Sequence, residues 1–263
     1  VLIRIGNQAA FVGWVGNAAS GDFCMNSMNA LGLAVSRIRR HPSMKTSVTV
    51  SLSSPEDRSL VSYLGTIPEL RREHIEDRFF TGFHHVHSSS YFLQTGMHEG
   101  FRDVFSRARR HGLTTSLDPA CDPQLRWESR LRETLAEVDV FLPNETELYG
   151  ITGEAEPERG LRCIEGLVKR TVVKLGAKGA MTLEGGRAVC VSAPPVDVVD
   201  PTGAGDNFNS GFLHAWLHRK PILEALQLGV ACGSFSVRAV GGTTAQATLP
   251  EALALVNQGK DAR

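Results

Sequence analysis

The sequence has no excess of charge of either sign, because its 263 residues include 28 lysines and arginines and 28 aspartates and glutamates. Proteins that bind nucleic acid or acidic membrane surfaces carry an excess of basic residues. Long apolar runs are missing too: the run at residues 9–12 is far shorter than the ~20 residues that a membrane-spanning helix needs. No signal-peptide pattern opens the chain. We therefore expect a cytoplasmic protein with no nucleic-acid and no membrane partner.

Cysteine is scarce, and three common catalytic signatures are missing. The five scattered cysteines form no C-x-x-C pair, which predicts reduced thiols rather than a zinc or redox site. Neither a G-x-x-x-x-G-K-[ST] loop nor a G-x-G-x-x-G fingerprint is present, which excludes the P-loop and that dinucleotide site. There is no G-x-S-x-G elbow for a hydrolase nucleophile. Any phosphate group must be bound by a different glycine-rich segment.

What remains is typical of a globular α/β protein, with 42% hydrophobic and 21% charged residues. Strand-like runs are predicted at residues 1–5, 11–15, 84–87, 113–117, 139–142, 171–175, 180–183 and 188–191. Helices are predicted at residues 22–31, up to 110, 128–138, 145–151, 159–169, 204–217, 222–237 and 251–256. This alternation predicts a central, mostly parallel sheet with helices on both faces.

One segment interrupts the alternation. Residues 47–52 and 60–64 have the pattern of a β-hairpin, which we expect to form a small β lid at about residues 46–64. No repeat and no low-complexity linker divides the chain, and its length lies near the upper limit for one hydrophobic core. We therefore expect a single domain over residues 1–263.

The most informative segment is the turn D-P-T-G-A-G-D-N-F at residues 200–208, which opens a predicted helix. Gly203, Ala204 and Gly205 are small enough for a phosphate to approach the backbone, where a helix N-terminus directs N–H groups and its positive dipole end. Asp206 would stand beside that phosphate and could accept the proton of an attacking hydroxyl. The structural alternative is that Asp206 only starts the helix.

A second pair of polar residues, Asn144 and Glu147, lies at the start of another predicted helix. Their spacing of three puts an amide and a carboxylate on one face. The same spacing fits a capping box with Asn144 as the N-cap. A magnesium site and a capping box are both open at this point.

Several motifs occur together in a recognisable order. They are V-G-W-V-G at residues 12–16 with Gly21, Asp57-Arg58 in the lid region, L-D-P at 117–119, N-E-T-E at 144–147, V-K-L-G-A-K-G at 173–179 and the turn at 200–208. In this order they resemble the ribokinase-like carbohydrate kinases of the PfkB family over nearly the whole chain. The resemblance implies a ribokinase-like fold and an enzyme that transfers the γ-phosphate of ATP to a sugar hydroxyl.

The same resemblance implies roles for particular residues. Asp206 would contact the sugar and act as the base, the turn at Gly203, Ala204 and Gly205 would stabilise the transferred group, and Asn144 and Glu147 would organise Mg²⁺. Nucleotide-binding roles would fall on Lys174, Gly176, Lys178, Gly179, Gly233 and Ser234. Solvated lysines and simple helix packing are the structural alternatives for these last residues.

Three further expectations follow from the resemblance. Asp200 and Thr202, with carbonyl groups of residues 239–243, would hold K⁺. The lid would pair with that of a second subunit and form a homodimer. L-D-P at residues 117–119 followed by Arg126-Trp127 is similar to fructokinases and 2-keto-3-deoxygluconate kinases, which favours a hexose or a sugar acid, and a nucleoside acceptor stays open.

Two features depart from the family pattern. I-G-N-Q at residues 5–8 resembles only a remnant of the substrate-binding glycine motif, which makes Asn7 a candidate for binding the sugar, and Ala18 stands where an acidic residue is common. We therefore expect the N-terminal start of the family domain to be missing from this chain. A noncatalytic, ligand-sensing relative with an incomplete sugar site is the alternative function.

The histidines His84, His85 and His87 lie in one strand-like run. Strand alternation puts His85 and His87 on one face, but no carboxylate or cysteine accompanies them at ligand spacing. The sequence therefore favours packing or surface roles over a metal site.

Overall fold

A computed structural model of the chain describes residues 1–53, 58–127 and 130–261. Backbone contacts divide it into two compact units. The C-terminal unit consists of Val1–Gln8 and Val140–Arg263, and the N-terminal unit of Ala9–Asp139. Within the described ranges, no helix is long and apolar enough to cross a membrane. One domain spanning residues 1–263 stays a prediction.

The N-terminal unit alternates short strands and helices. They are β1 (Gly13–Gly16), α1 (Ala19–Ala30), β2 (Ile38–His41), β3 (Val48–Ser53), β4 (Arg58–Tyr63), β5 (His85–Ser88), α2 (Phe101–Arg110), β6 (Thr114–Leu117) and α3 (Leu131–Leu135). β1 pairs with β2 and β5 pairs with β6, both in parallel. Because α1 and α2 lie between these partners in the chain, each pair has a β-α-β arrangement, which the sequence predicts for β5 and β6.

The C-terminal unit contains a mixed sheet followed by helices. Its elements are β7 (Val140–Phe141), α4 (Glu145–Thr152), α5 (Pro157–Cys163), β8 (Arg170–Lys174), β9 (Ala180–Glu184), β10 (Arg187–Val191), α6 (Ala204–Leu217), α7 (Ile222–Ser236) and α8 (Leu249–Asp261). β7 and β8 are parallel, whereas β8, β9 and β10 form an antiparallel meander. The loop after β8 and the start of α6 belong to this unit.

Helices α6 and α7 pack closely because small residues lie between them. A Cβ atom at Gly211 would lie 2.6 Å from the Leu228 carbonyl oxygen, so only glycine fits there. Phe208 and Phe212 stack in the buried core, beside Gly229 of α7. Cys232 is also buried there, and its burial raises the pKa of the thiol to about 12. All five cysteines are free thiols, as the sequence predicts.

The predicted hairpin is present as β3 and β4, which pair in antiparallel register from Val48 opposite Tyr63 to Ser53 opposite Arg58. The turn is predicted at residues 53–57, and its residues 54–57, which include Asp57 of the family motif, lie outside the described residues. Because side chains alternate along a strand, several apolar side chains of the hairpin lie on one face. That face is exposed. These side chains are between 50% and 59% exposed: Val48, Val50, Leu52, Val61 and Tyr63.

Three of the differences between the predicted and the observed elements have a clear physical reason. Residues 1–5 form turns instead of a strand, because the Ile5 N–H donates to the Val1 carbonyl at 3.0 Å. Strand β2 was not predicted, since its sequence I-R-R-H lacks an apolar pattern, and its pairing with β1 is what makes it a strand. Helix α5 ends at Cys163 rather than at residue 169, because Gly166 adopts a φ of +83°.

His85 is held by hydroxyl groups of the neighbouring strand. Its Nδ1 lies 2.8 Å from Thr114 Oγ1 and its Nε2 lies 2.7 Å from Ser116 Oγ. Because the ring nitrogens are occupied in this way, His85 has the packing role that the sequence favours. Burial of the ring, with a smaller contribution from nearby His87, lowers its pKa to about 3.

This lowered pKa makes stability depend on pH. The unfolded chain binds a proton at His85 below about pH 6.5, whereas the native chain does so only near pH 3. The contribution of the neutral His85 ring to the free energy of unfolding is therefore fully present above pH 6.5, and it is lost as the pH falls toward 3. We predict that urea unfolding of the parent loses about 2 kcal/mol more between pH 6.5 and 5 than that of His85→Gln. Parallel pH profiles of the two proteins would contradict this assignment.

Candidate active site

Helix α6 begins with an uncapped N-terminus at the predicted turn. Its first residue is Ala204, as predicted, and its N-cap is Gly203, which has a φ of +76° and no side chain to accept a hydrogen bond. The N–H groups of a first helical turn lack intrahelical acceptors, and the dipole makes this end positive. Residues 200–205, termed the anion turn below, therefore present a site for a phosphate.

The anion turn lies against a second glycine-rich segment, residues 239–243, termed the glycine loop. A Cβ atom at Gly203 would lie 2.9 Å from the Cα atom of Gly242. No larger residue fits this contact, and the positive φ of Gly203 excludes one independently. The backbone geometry of the turn therefore requires glycine at 203, independently of any role in binding a phosphate.

The carboxylate of Asp200 joins the two segments. Its Oδ1 accepts hydrogen bonds from the Thr202 N–H at 2.9 Å and the Thr202 hydroxyl at 2.6 Å. Its Oδ2 accepts the Gly241 N–H at 2.9 Å. The structure thus brings both residues of the predicted K⁺ site together with the glycine loop, and it shows that Asp200 orders this region through hydrogen bonds.

Asp206 lies in the first turn of α6 and is exposed. The next residues along the helix are buried, so Phe208 and Phe212 anchor α6 in the core while Asp206 stays at the surface. Ser210 Oγ donates to the Asp206 carbonyl at 2.8 Å, which secures the backbone of this turn. The carboxylate therefore stands at the positive end of a firmly held helix.

Lys174 brings a cation to the anion turn. It is the last residue of β8, and its backbone N–H donates to the Pro143 carbonyl at 2.9 Å. Its Nζ lies 3.5 Å from Asn209 Oδ1 and 3.5 Å from the place that a Cβ of Gly205 would occupy. The fold thus brings Lys174 close to Gly205, although the two residues are 31 positions apart in the sequence.

The other residues of the predicted nucleotide loop have backbone and surface roles. Lys178 Nζ forms an exposed ion pair with Glu145 at 3.2 Å. Gly176 and Gly179 have positive φ values of 56° and 103°. A Cβ at Gly179 would lie 1.8 Å from the Val191 carbonyl oxygen, so the turn after β8 requires glycine. Nucleotide binding by these residues stays a prediction.

Gly233 faces the start of α6 from helix α7. A Cβ at this position would lie 3.3 Å from the Ala204 carbonyl oxygen. Gly233 therefore serves helix packing, which is the structural alternative given above for this residue. This packing places α7 directly behind the anion turn. The nucleotide-binding roles of Gly233 and of Ser234 in the same helix stay predictions.

Asn144 and Glu147 form a capping box, which is one of the two alternatives that the sequence allows for this pair. Asn144 Oδ1 accepts the Glu147 N–H and Glu147 Oε2 accepts the Asn144 N–H, both at 2.8 Å. Glu147 Oε1 also accepts the Asn144 side-chain amide at 2.7 Å. A capping box and a metal role are compatible, because a carboxylate offers about four lone-pair sites.

A hydrated divalent cation fits this arrangement. In the part of the chain that the structure describes, no three His, Cys, Asp or Glu residues cluster as a metal site. Mg²⁺ keeps much of its water and commonly uses one or two carboxylates together with phosphate oxygens. The buried carboxylate of Glu147, oriented by Asn144, is a group of the kind that such a cation uses, and the magnesium role of both residues stays a prediction.

Asn7 contacts α6 far from the anion turn. Its Oδ1 lies 3.1 Å from His214 Nδ1, and its Nδ2 donates to the Leu2 carbonyl at 2.9 Å. Burial lowers the pKa of His214. Because His214 follows Asp206 by eight residues, it lies ~12 Å farther along the helix. The structure does not bring Asn7 beside Asp206, and its substrate role stays a prediction.

Sequence reasoning missed two asparagines of α6. Asn207 is 1% exposed and Asn209 is 2% exposed, and both contact the site: Asn207 at Gly203 and Asn209 at Lys174. Buried polar side chains need partners. Two asparagines within the apolar pattern of an amphipathic helix are therefore the signal that could have revealed them.

Comparison with known proteins gives the family. Residues 1–249 match the pfkB family carbohydrate kinase. The chain belongs to this family. PfkB kinases share the ribokinase-like α/β fold, and the structural neighbours described next confirm that fold for this chain.

Three relatives illustrate the similarity. A sugar kinase of Archaeoglobus fulgidus is 26% identical over 87% of this chain and 90% of its own length. The structure of a fructokinase double mutant from Vibrio cholerae with fructose, ADP and potassium has a TM-score of 0.83, with 25% identity over 97% of this chain and 87% of that chain. Arabidopsis thaliana ribokinase with ribose and ATP has a TM-score of 0.82, with 24% identity over 96% and 83%.

Proposed function

We propose that this PfkB carbohydrate kinase transfers the γ-phosphate of ATP to a hydroxyl group of a hexose or a sugar acid, as a fructokinase or a 2-keto-3-deoxygluconate kinase does. One observation supports the proposal most strongly: the uncapped, positive end of α6 has a carboxylate, Asp206, in its first turn and an ammonium group, Lys174, beside Gly205. Phosphoryl transfer needs such an anion site with a proton acceptor next to it.

In this proposal Asp206 accepts the proton of the sugar hydroxyl as that hydroxyl attacks the γ-phosphorus. A carboxylate is a weak base, but a loose transition state for phosphoryl transfer requires little proton movement before the new bond forms. The N–H groups of Gly203, Ala204 and Gly205 stabilise the charge on the transferred group. Lys174 adds a positive charge near the same turn.

Mg²⁺ would be held by Glu147 through its buried carboxylate, with Asn144 fixing the orientation of that carboxylate. When bound with ATP, the cation neutralises charge on the phosphates. Asn144 and Glu147 also fix the start of α4, so the same contacts serve stability. The parts of ATP beyond the phosphates are assigned to Gly176, Lys178, Gly179, Gly233 and Ser234.

The acceptor is proposed from two features. L-D-P at residues 117–119 with Arg126-Trp127 favours a hexose or a sugar acid, and the fructokinase of Vibrio cholerae binds fructose. The alternatives are a nucleoside kinase of the same family and a noncatalytic ligand-sensing relative. A screen for ADP release with sugars, sugar acids and nucleosides separates all three.

Changing the proposed base tests the mechanism. Asp206→Asn keeps the size of the side chain but cannot accept a proton, so kcat should fall about 10²- to 10⁴-fold. The affinity for ATP should change little, since backbone N–H groups hold the phosphates. The matched control is Glu224→Gln, which removes a carboxylate from the first turn of α7. Turnover of Asp206→Asn within threefold of the parent would remove Asp206 from the mechanism.

We also propose K⁺ as an activating ion at the junction of the anion turn and the glycine loop. Asp200 contacts both segments, and Gly203 lies against Gly242, so backbone carbonyl groups of the two segments come close together. Carbonyl oxygens are suitable ligands for K⁺. One fructokinase relative is bound to potassium.

Potassium dependence is measured directly. We expect turnover to be several-fold higher in K⁺ than in tetramethylammonium at equal ionic strength, because K⁺ would order the anion turn. Tetramethylammonium is too large to enter a site of carbonyl oxygens. Equal rates in the two salts would refute the K⁺ site.

The exposed apolar face of the lid hairpin supports a homodimer, because an uncovered patch of this kind commonly marks an interface. We expect the parent to be a dimer by light scattering at micromolar concentration and Val50→Asp, on this face, to be a monomer. Thr49→Asp is the matched control, since Thr49 lies on the opposite face and contacts Ser62. A monomeric parent would overturn the proposal.

A further inference from the structure

The anion turn and the glycine loop are connected at two places. Asp200 is the first connection, through its hydrogen bonds to Thr202 and Gly241. The second is Asn207, which follows Asp206 in the first turn of α6 and which neither the family motif nor the proposed mechanism uses. Its side chain is almost completely buried, with 1% exposure.

The amide of Asn207 donates into the turn with both of its hydrogens. Nδ2 donates to the Gly203 carbonyl at 2.8 Å and reaches the Gly242 carbonyl at 3.4 Å. The backbone N–H of Asn207 also donates to the Gly203 carbonyl, at 2.9 Å. The Gly203 carbonyl therefore accepts two hydrogen bonds from this single residue.

These contacts hold the peptide at which helix α6 begins. The Gly203 carbonyl and the Ala204 N–H belong to one planar peptide unit. The Ala204 N–H donates to the Pro201 carbonyl at 3.2 Å, so hydrogen bonds hold both polar groups of this peptide. Asn207 orients this peptide from behind without contacting a phosphate itself.

The other end of the amide contributes nothing comparable. Asn207 Oδ1 is buried and has no hydrogen-bond partner among the described residues. The reverse orientation of the amide would place this oxygen against two carbonyl oxygens, which excludes it. A buried, unpaired acceptor is unfavourable for folding, so the donor group is what this side chain supplies.

We propose that Asn207 is a positioning residue for phosphoryl transfer: it orients the peptide between Gly203 and Ala204 and holds the anion turn against the glycine loop. This inference rests on the proposed phosphate-binding role of the turn. The unpaired Oδ1 of Asn207 makes its burial unfavourable for stability, and the proposal gives this buried asparagine a function.

The decisive variant is Asn207→Leu. Leucine has nearly the shape of asparagine, removes the donor and removes the unpaired acceptor as well. The melting temperature should therefore stay within a few degrees of that of the parent or rise. The Kd for ATP with Mg²⁺, measured by calorimetry without sugar, should increase roughly tenfold because the turn loses its two side-chain contacts. The kcat should also fall, since the proposed base Asp206 lies in the same first turn of α6.

A second variant and a control keep the test independent of folding. Asn207→Asp places a carboxylate against the Gly203 and Gly242 carbonyl groups, so ATP binding should weaken more than in the leucine variant. Thr182→Val removes the hydrogen bond that the buried Thr182 hydroxyl in β9 donates to the Thr171 carbonyl in β8, distant in sequence from the turn. It should lower the melting temperature and leave the Kd for ATP unchanged.

The outcomes separate this inference from the proposed function. An increase in Kd of threefold or more in a folded Asn207 variant supports the positioning role. A smaller change in both variants, with the parent binding ATP normally, overturns it and leaves the proposed function intact. Failure of the parent itself to bind ATP would contradict the phosphate site and the proposed function together.

Discussion

The close contact between Gly203 and Gly242 is the constraint on which the proposed site depends. Glycine at 203 permits both this contact and the positive φ of the N-cap of α6, and it leaves the helix N-terminus without a side-chain cap. An uncapped N-terminus has N–H groups and a partial positive charge that favour an anionic partner. The proposed phosphate site depends on this contact, and helix α6 and strand β8 place Asp206 and Lys174 beside it.

The rest of the C-terminal unit holds that contact in place. Phe208 and Phe212 anchor α6 in the core, and Gly211 and Gly233 let α7 pack directly against it. On the other side, β8 ends at Lys174, whose side chain reaches the turn. A rigid scaffold of this kind keeps the N–H groups in position before a ligand arrives, which is how such groups stabilise a transition state.

Local sequence patterns were sufficient for much of this site. Helix α6 was predicted with its observed bounds, because the glycine-rich turn marks its start and its apolar spacing is regular. The pairing of Asn144 with Glu147 was also predictable, since capping is a contact over three residues. The distant residues were not predictable in this way: Gly242 meets Gly203, and Asn207 contacts both, only after the chain has folded. Strand β2 was missed for the same reason, because only its partner β1 makes it a strand.

The central claim is that the N–H groups of the anion turn hold the phosphates of ATP. A crystal structure of the protein with Mg²⁺ and a nonhydrolysable ATP analogue tests it most directly. We expect phosphate oxygens within about 3 Å of the N–H groups of Gly203, Ala204 or Gly205, with the Asp206 carboxylate facing the γ-phosphate. Phosphates bound elsewhere, with the start of α6 contacting only solvent, would contradict the account.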